Sequence, residues 1–185
     1  MTTLTKICNH WTAGNYEPCP QDLNSYHYLI NDKGYIYLGA YTPEDNINCK
    51  DGKYAQHCGG GNTNCIGISA CGMVGYSQKD KYSKCPLTKK QIENLCCLNA
   101  YLSLKYKIPV NNKTIFTHYE FDQCRQKKLR KGKIDITYIH YLPNLTPDSI
   151  GKYLRQKISW YREKIKLGKY TFTKKGDYYE FIVKS

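Results

Sequence analysis

The sequence is short of acid. Asp and Glu number 15 against 28 Lys and Arg, a formal net charge of +13 over 185 residues. That balance calls for an anionic partner, whether nucleic acid, acidic lipid or acidic cell-wall polymer, without choosing among them. Long apolar runs are missing as well. No stretch approaches the ~20 apolar residues of a membrane helix, so no membrane insertion is expected. Residues 1–6 lack the apolar core of a secretory leader, so the expectation is synthesis in the cytoplasm without a signal peptide. None of the ten cysteines forms a Cys-x-x-Cys pair, which excludes a zinc ribbon. The run Gly59-Gly60-Gly61 lacks a following Lys-Ser/Thr and a helix, which excludes a phosphate loop. No helix-turn-helix or RNA-binding signature occurs, and Lys and Arg are spread rather than striped. Nucleic acid is therefore not the expected partner, although the charge keeps a basic nucleic-acid-binding protein as an alternative. No internal repeat or low-complexity tract is present.

What the chain does have is tyrosine, 19 against 4 Phe and 2 Trp, suited to a groove with apolar walls and wet hydroxyls. The cysteines read as thiols of a reducing cytosol, with disulfides left open by the even count. One domain with a sizeable core suits this length. Residues 4–9 read as a strand delivering His10 at its carboxyl end, and 11–25, with Gly14, Pro18 and Pro20, as loop. Residues 26–30 and 35–39 read as hairpin arms around an Asn31-Asp32-Lys33-Gly34 turn. A buried strand follows over 66–72. Thr88 and Gln91 form a capping box for a helix that Pro109 stops. A strand over 114–117 ends at His118, a basic loop spans 126–132, and Thr146-Pro147 opens a second long helix. Residues 170–183 alternate around Lys175-Gly176-Asp177 as a terminal hairpin. The expected fold class is α/β: a central mixed sheet flanked by helices, with a site at one sheet edge and a C-terminal helix plus hairpin.

Two histidines at strand ends can meet at that edge. His118 and His10 offer imidazoles and Asp135 a carboxylate; if 133–135 is extended, Lys133 projects from the same face as Asp135. Two His and one carboxylate leave a fourth tetrahedral position open, as a hydrolytic zinc requires. On spacing alone a buried His118 with a solvated Asp135–Lys133 pair accounts for the same residues at least as well.

The order of the motifs goes further than their spacing. His10-Trp11-Thr12-Ala13-Gly14, Tyr26-His27-Tyr28-Leu29-Ile30, Ala55-Gln56-His57, Asn62-Thr63-Asn64-Cys65-Ile66-Gly67-Ile68, Thr117-His118-Tyr119-Glu120 and Gly132-Lys133-Ile134-Asp135-Ile136 together resemble the zinc-dependent N-acetylmuramoyl-L-alanine amidases of type 2. That group includes phage endolysins and peptidoglycan recognition proteins. The resemblance covers roughly residues 6–143. It implies Zn2+ held by His10, His118 and Asp135, with Lys133 and Tyr26 as catalytic residues and His57, Trp11 and Asn64 beside the substrate. Some branches carry a catalytic Glu where Ser69 stands, which throws that work onto Tyr26 and Lys133. The family often has a helix between its first His and the Tyr strand, for which 11–25 looks too short.

The resemblance implies a monomeric amidase acting on the peptidoglycan of a bacterial wall after release, a lysin, with residues 1–143 as catalytic core and 144–185 as an extension on the same domain. An anionic wall polymer would draw the positive charge. A non-catalytic peptidoglycan-binding module is the alternative within the family.

Overall fold

The computed structural model describes residues 3–124 and 132–184. In chain order it runs β1 (Lys6–Trp11), α1 (Pro20–Ser25), β2 (Tyr28–Ile30), β3 (Ile36–Leu38), β4 (Cys65–Ala70), α2 (Lys89–Lys105), β5 (Ile115–Thr117), α3 (His118–Cys124), α4 (Pro147–Lys166), β6 (Tyr170–Lys175) and β7 (Tyr178–Val183). The strands make one mixed sheet in the order β5-β1-β4-β2-β3-β7-β6. The pairs β5–β1, β1–β4 and β4–β2 are parallel, and the rest antiparallel. Among the described residues no helix is long and apolar enough to cross a membrane.

Alternation along β1 and β4 divides the sheet into two faces. Ile7 and Trp11, with Ile66, Ile68 and Ala70, join the main core on the α2 side. Asn9 lies on that side too, its amide exchanging hydrogen bonds with Asn99 of α2 at 3.2 and 2.7 Å. The opposite face carries Cys8 and His10 on β1 and Gly67 and Ser69 on β4, paired Cys8 to Gly67 and His10 to Ser69. Helix α2 starts at the capping box foreseen from Thr88 and Gln91: each accepts from the other's backbone N–H, at 2.9 and 3.1 Å. Gln91 Nε2 also donates to Ile30 O and Cys71 O, tying the helix start to the carboxyl ends of β2 and β4.

Helix α4 puts Ile150, Leu154, Ile158 and Tyr161 into the same core, and β7 extends the sheet by pairing Tyr179 with Ile36. Residues 147–183 thus share both core and sheet with what precedes them. Arg155 of α4 grips Glu120 of α3 through two 2.9 Å hydrogen bonds and donates a third to Ile115 O of β5 at 3.1 Å. Gly151 makes room for this, because a Cβ there would overlap the Glu120 carboxyl.

Two stretches differ from expectation, and a third lies outside the described residues. Residues 11–25 contain a helix: Pro20 pre-sets the first helical φ, and Asp22 Oδ2 accepts from Cys19 N–H at 3.0 Å. Tyr26 therefore caps α1, donating its N–H to Asp22 O, and β2 begins only at Tyr28. Residues 133–135 are not a strand. The chain turns at Asp135, with Ile136 at φ +53° and Thr137 N–H bonded back to Ile134 O at 3.1 Å. The basic loop at 126–132 lies outside the described residues except for Gly132.

Glu120 is only 7% exposed, so removing its partner strands a buried charge. Arg155→Ala is expected to lower unfolding free energy by about 3 kcal/mol, read from the shift in denaturant midpoint.

Candidate metal centre

His10 is the fifth residue of β1 and fully buried. In the neighbouring strand, Thr117 pairs with Asn9, so His118, the next residue and the first of α3, arrives level with His10. Their rings lie 4.6 Å apart at 71°. The turn after residue 134 brings in Asp135, whose Oδ2 stands 3.0 Å from His10 Nδ1 and 3.1 Å from His118 Nδ1. The potential ligand atoms of His10, His118 and Asp135 all lie within 4.8 Å of one another. Two ligands ~2.0–2.1 Å from one tetrahedral zinc stand about 3.3 Å apart, close to both measured separations.

Proton bookkeeping shows what these atoms require. Cys65 O can only accept, so the 3.1 Å contact makes His57 Nε2 the donor. His57 is neutral, since burial holds its pKa well below 6.5. Its Nδ1 is then a lone pair, and His10 Nε2–H donates to it at 3.2 Å. Burial takes His10 down to about 4 against the pull of Asp135, so it too is neutral and carries one proton. That proton is spent on His57. The 3.0 Å approach of His10 Nδ1 to Asp135 Oδ2 then calls for a proton or a metal ion between the two atoms.

A proton on His118 answers only part of this. Burial lowers the His118 pKa, but Asp135 and the Cys58 thiol outweigh it and carry it to about 9. Burial alone would raise Asp135, yet the two imidazoles hold it well below the usual carboxylate range. A divalent ion satisfies all three atoms at once, so the residues fit zinc. A second tight set, Cys8 with His10 and His57, fits less well. Both ring nitrogens of His57 are already engaged, with His10 and with Cys65 O.

Tyr26 leans over His10 at 5.2 Å between ring centroids, and burial, then Asp135, raise its pKa, so its hydroxyl keeps its proton. Lys133 is exposed and its charge is felt at His10, though the strand alternation expected to aim it beside Asp135 does not exist. Ser69, opposite His10 in register, is buried with no hydrogen-bond partner for its hydroxyl among the described residues.

Of the three residues expected beside substrate, Trp11 and His57 are buried and Asn64 lies just before β4. Trp11 is 3% exposed and packs edge-on against Tyr76 on the α2 face, because it follows His10 by one residue and so points to the other side. Asn64 precedes β4 by one residue and is five residues from Ser69, about 16 Å at ~3.3 Å per strand residue. There it closes the start of the sheet, accepting from Thr5 N and Lys6 N. His57 is the buried partner of His10. Sequence reading missed this relay, and its one signal was Gly67, a glycine inside a strand. A Cβ on Gly67 would come within 2.5 Å of the His57 ring. His27 is structural, as expected: it accepts from Gly67 N at 2.8 Å and donates to Asn46 Oδ1 at 2.9 Å.

A family profile described as N-acetylmuramoyl-L-alanine amidase, of type 2, matches residues 2–144. The chain belongs to that amidase family. Among curated proteins none matches. Among solved structures, N-acetylmuramoyl-L-alanine amidase LysC from Clostridium intestinale URNW is 22% identical, with TM-score 0.44, over 68% of this chain and 74% of that one. AmiD from E. coli, solved with anhydro-N-acetylmuramic acid-L-Ala-D-gamma-Glu-L-Lys, is 19% identical, with TM-score 0.45, over 62% and 48%. Drosophila peptidoglycan recognition protein SD is 17% identical, with TM-score 0.45, over 64% and 71%. The amidase profile ends before α4, so the helix that grips α3 lies outside the matched segment.

Gly67→Ala is expected to displace His57, break both of its hydrogen bonds and loosen His10. Zinc affinity should fall about 10- to 100-fold, as for lost supports of metal-bound histidines, in a competition titration against a chromogenic chelator.

Proposed function

We propose that the protein is a zinc-dependent hydrolase of the amide joining N-acetylmuramic acid to L-alanine in peptidoglycan. The observation that carries this reading is the convergence of His10, His118 and Asp135, whose potential ligand atoms lie within 4.8 Å of one another, in a chain of the amidase family. Zinc on these three residues would supply Lewis acidity, polarising a carbonyl oxygen and lowering the pKa of a water. The remaining work falls to the chain itself. His57 keeps the His10 lone pair aimed at Asp135. Lys133 brings an ammonium to the edge of the centre, where negative charge develops on the carbonyl oxygen as the tetrahedral intermediate forms. Tyr26 keeps its proton and can donate a hydrogen bond to the same oxygen or orient the attacking water. The amine of L-alanine leaves with a proton, and the glycan keeps the carboxylate.

The net charge of +13 would gather the protein on an anionic wall, less so as salt rises, and a lytic role fits that attraction. The competing reading within the family, a module that holds peptidoglycan without cutting it, is disfavoured because all three donor positions are filled by residues able to hold zinc.

The test is release of new amino termini from purified peptidoglycan. Activity should vanish with a chelator and return with zinc. His118→Ala should lose stoichiometric zinc while keeping the circular dichroism of the fold. Lys133→Ala should keep zinc but lose about 10²–10³ in kcat. Zinc-loaded protein that binds peptidoglycan and releases no amine would establish the binding module instead.

A further inference from the structure

The face of the sheet that carries the metal centre also carries a buried hydroxyl without a partner. Ser69 of β4 is paired with His10 of β1 on one side and Leu29 of β2 on the other. It is completely buried, and its Oγ has no hydrogen-bond partner among the described residues. A buried hydroxyl left unpaired costs stability, and Ala would fill the position without that cost.

Its surroundings narrow what could employ it. Residues two apart on a strand share a face, so within β4 the neighbour of Ser69 on this face is Gly67, which has no side chain. Leu29 is apolar. His10 has both ring nitrogens engaged, Nδ1 with Asp135 and Nε2 with His57. Tyr26 remains. Its ring leans over His10 at 5.2 Å between centroids, and it is half-buried, so its phenol borders the open side of the centre. Burial, then Asp135 and Asp22, push the phenol up in pKa, and the Ser69 hydroxyl pulls it the other way. A hydroxyl does that by turning its O–H to the phenol oxygen, which favours the anion. Ser69 and Tyr26 therefore face each other across the floor of the centre without a completed bond.

We propose that Ser69 is the positioning residue for Tyr26: in the working centre its O–H donates to the phenol oxygen and leaves the phenol O–H aimed at the scissile carbonyl oxygen. The inference deepens the amidase reading and rests on it. Ser69 does not touch substrate and acts only through Tyr26. Hydroxyls in series polarise one another, so a phenol that accepts from Ser69 is a stronger donor than a free one. A donor on the phenol oxygen also restricts rotation of the phenol O–H, which keeps its direction fixed as charge develops on the substrate. Both hydroxyls keep their protons throughout.

Wild type, Ser69→Ala, Tyr26→Phe and the double variant, each loaded with zinc, are compared on a soluble N-acetylmuramoyl-L-alanyl peptide. Ser69→Ala should lose about tenfold in kcat with KM unchanged, a part of the ~10²–10³ that losing a donor outright costs. In the Tyr26→Phe background the same change should cost nothing further, because no phenol O–H is left to aim. Two readouts do not depend on turnover. Zinc affinity of Ser69→Ala in a competition titration should match wild type, and its denaturant midpoint should hold or rise, since an unpaired buried hydroxyl is removed. The assignment is overturned, with the amidase reading intact, by any of four results: Ser69→Ala as active as wild type, Tyr26→Phe as active as wild type, a Ser69→Ala loss that persists undiminished without the phenol, or one that comes with weakened zinc binding or a lowered midpoint. Wild type that binds zinc and releases no amine would overturn the amidase reading, and the role of Ser69 with it.

Discussion

Two imidazoles meet one carboxylate oxygen: His10 Nδ1 and His118 Nδ1 stand 3.0 and 3.1 Å from Asp135 Oδ2. Much of the architecture serves to enforce it. The parallel pairing of β1 with β5 sets His10 and His118 side by side. The turn at residues 135–136 aims a carboxylate at both. Behind His10, the hydrogen bonds from His10 to His57 and from His57 to the Cys65 carbonyl fix which nitrogen faces forward. Gly67 is the hole that lets the His57 ring lie close to the sheet. Each of these arrangements comes from backbone geometry.

The family-matched segment supplies all of the donors but not all of the rigidity. Helix α3 has seven residues and begins at His118, so its first turn sets that imidazole's position. The Glu120 carboxylate in that turn is satisfied by Thr117 N–H and by Arg155 from α4. The C-terminal helix thus holds a candidate ligand in place from outside the matched segment. The same helix fills the core over α2. It does two jobs with adjacent faces of one amphipathic stretch.

Much of this was legible in the sequence, for physical reasons that differ by element. The Thr88–Gln91 box and the Thr146-Pro147 start are local chemistry, and the structure has both helices where that chemistry puts them. His10 and His118 at strand ends could be read because strands and their parallel partners bring distant residues level. The failures have equally local causes. Helix α1 hid in a Pro-rich stretch because a proline at the first helical position starts a helix while looking like a breaker. Asp135 was expected on a strand, but a non-glycine residue with positive φ, Ile136, turns the chain there, and nothing in the Ile side chain announces that. Trp11 and Asn64 were carried along by neighbours in their motifs, although adjacent strand residues point to opposite faces and a strand's start is remote from its end. His57 was found for the wrong reason. Its place in the motif was noticed, but its depth depends on a missing side chain three residues into another strand.

The three donors lie far apart along the chain: residue 10 near one end, 118 and 135 well past the middle. An ion seated among them would act as a removable cross-link, closing loops of roughly a hundred residues, the length at which chain-entropy arguments give a disulfide its largest effect. Because the ion binds the folded chain and not the unfolded one, its affinity would add directly to folding stability. A protein built this way would be a sturdier molecule in a zinc-replete medium than in a chelating one. Its persistence, and not only its chemistry, would then follow the supply of a trace metal.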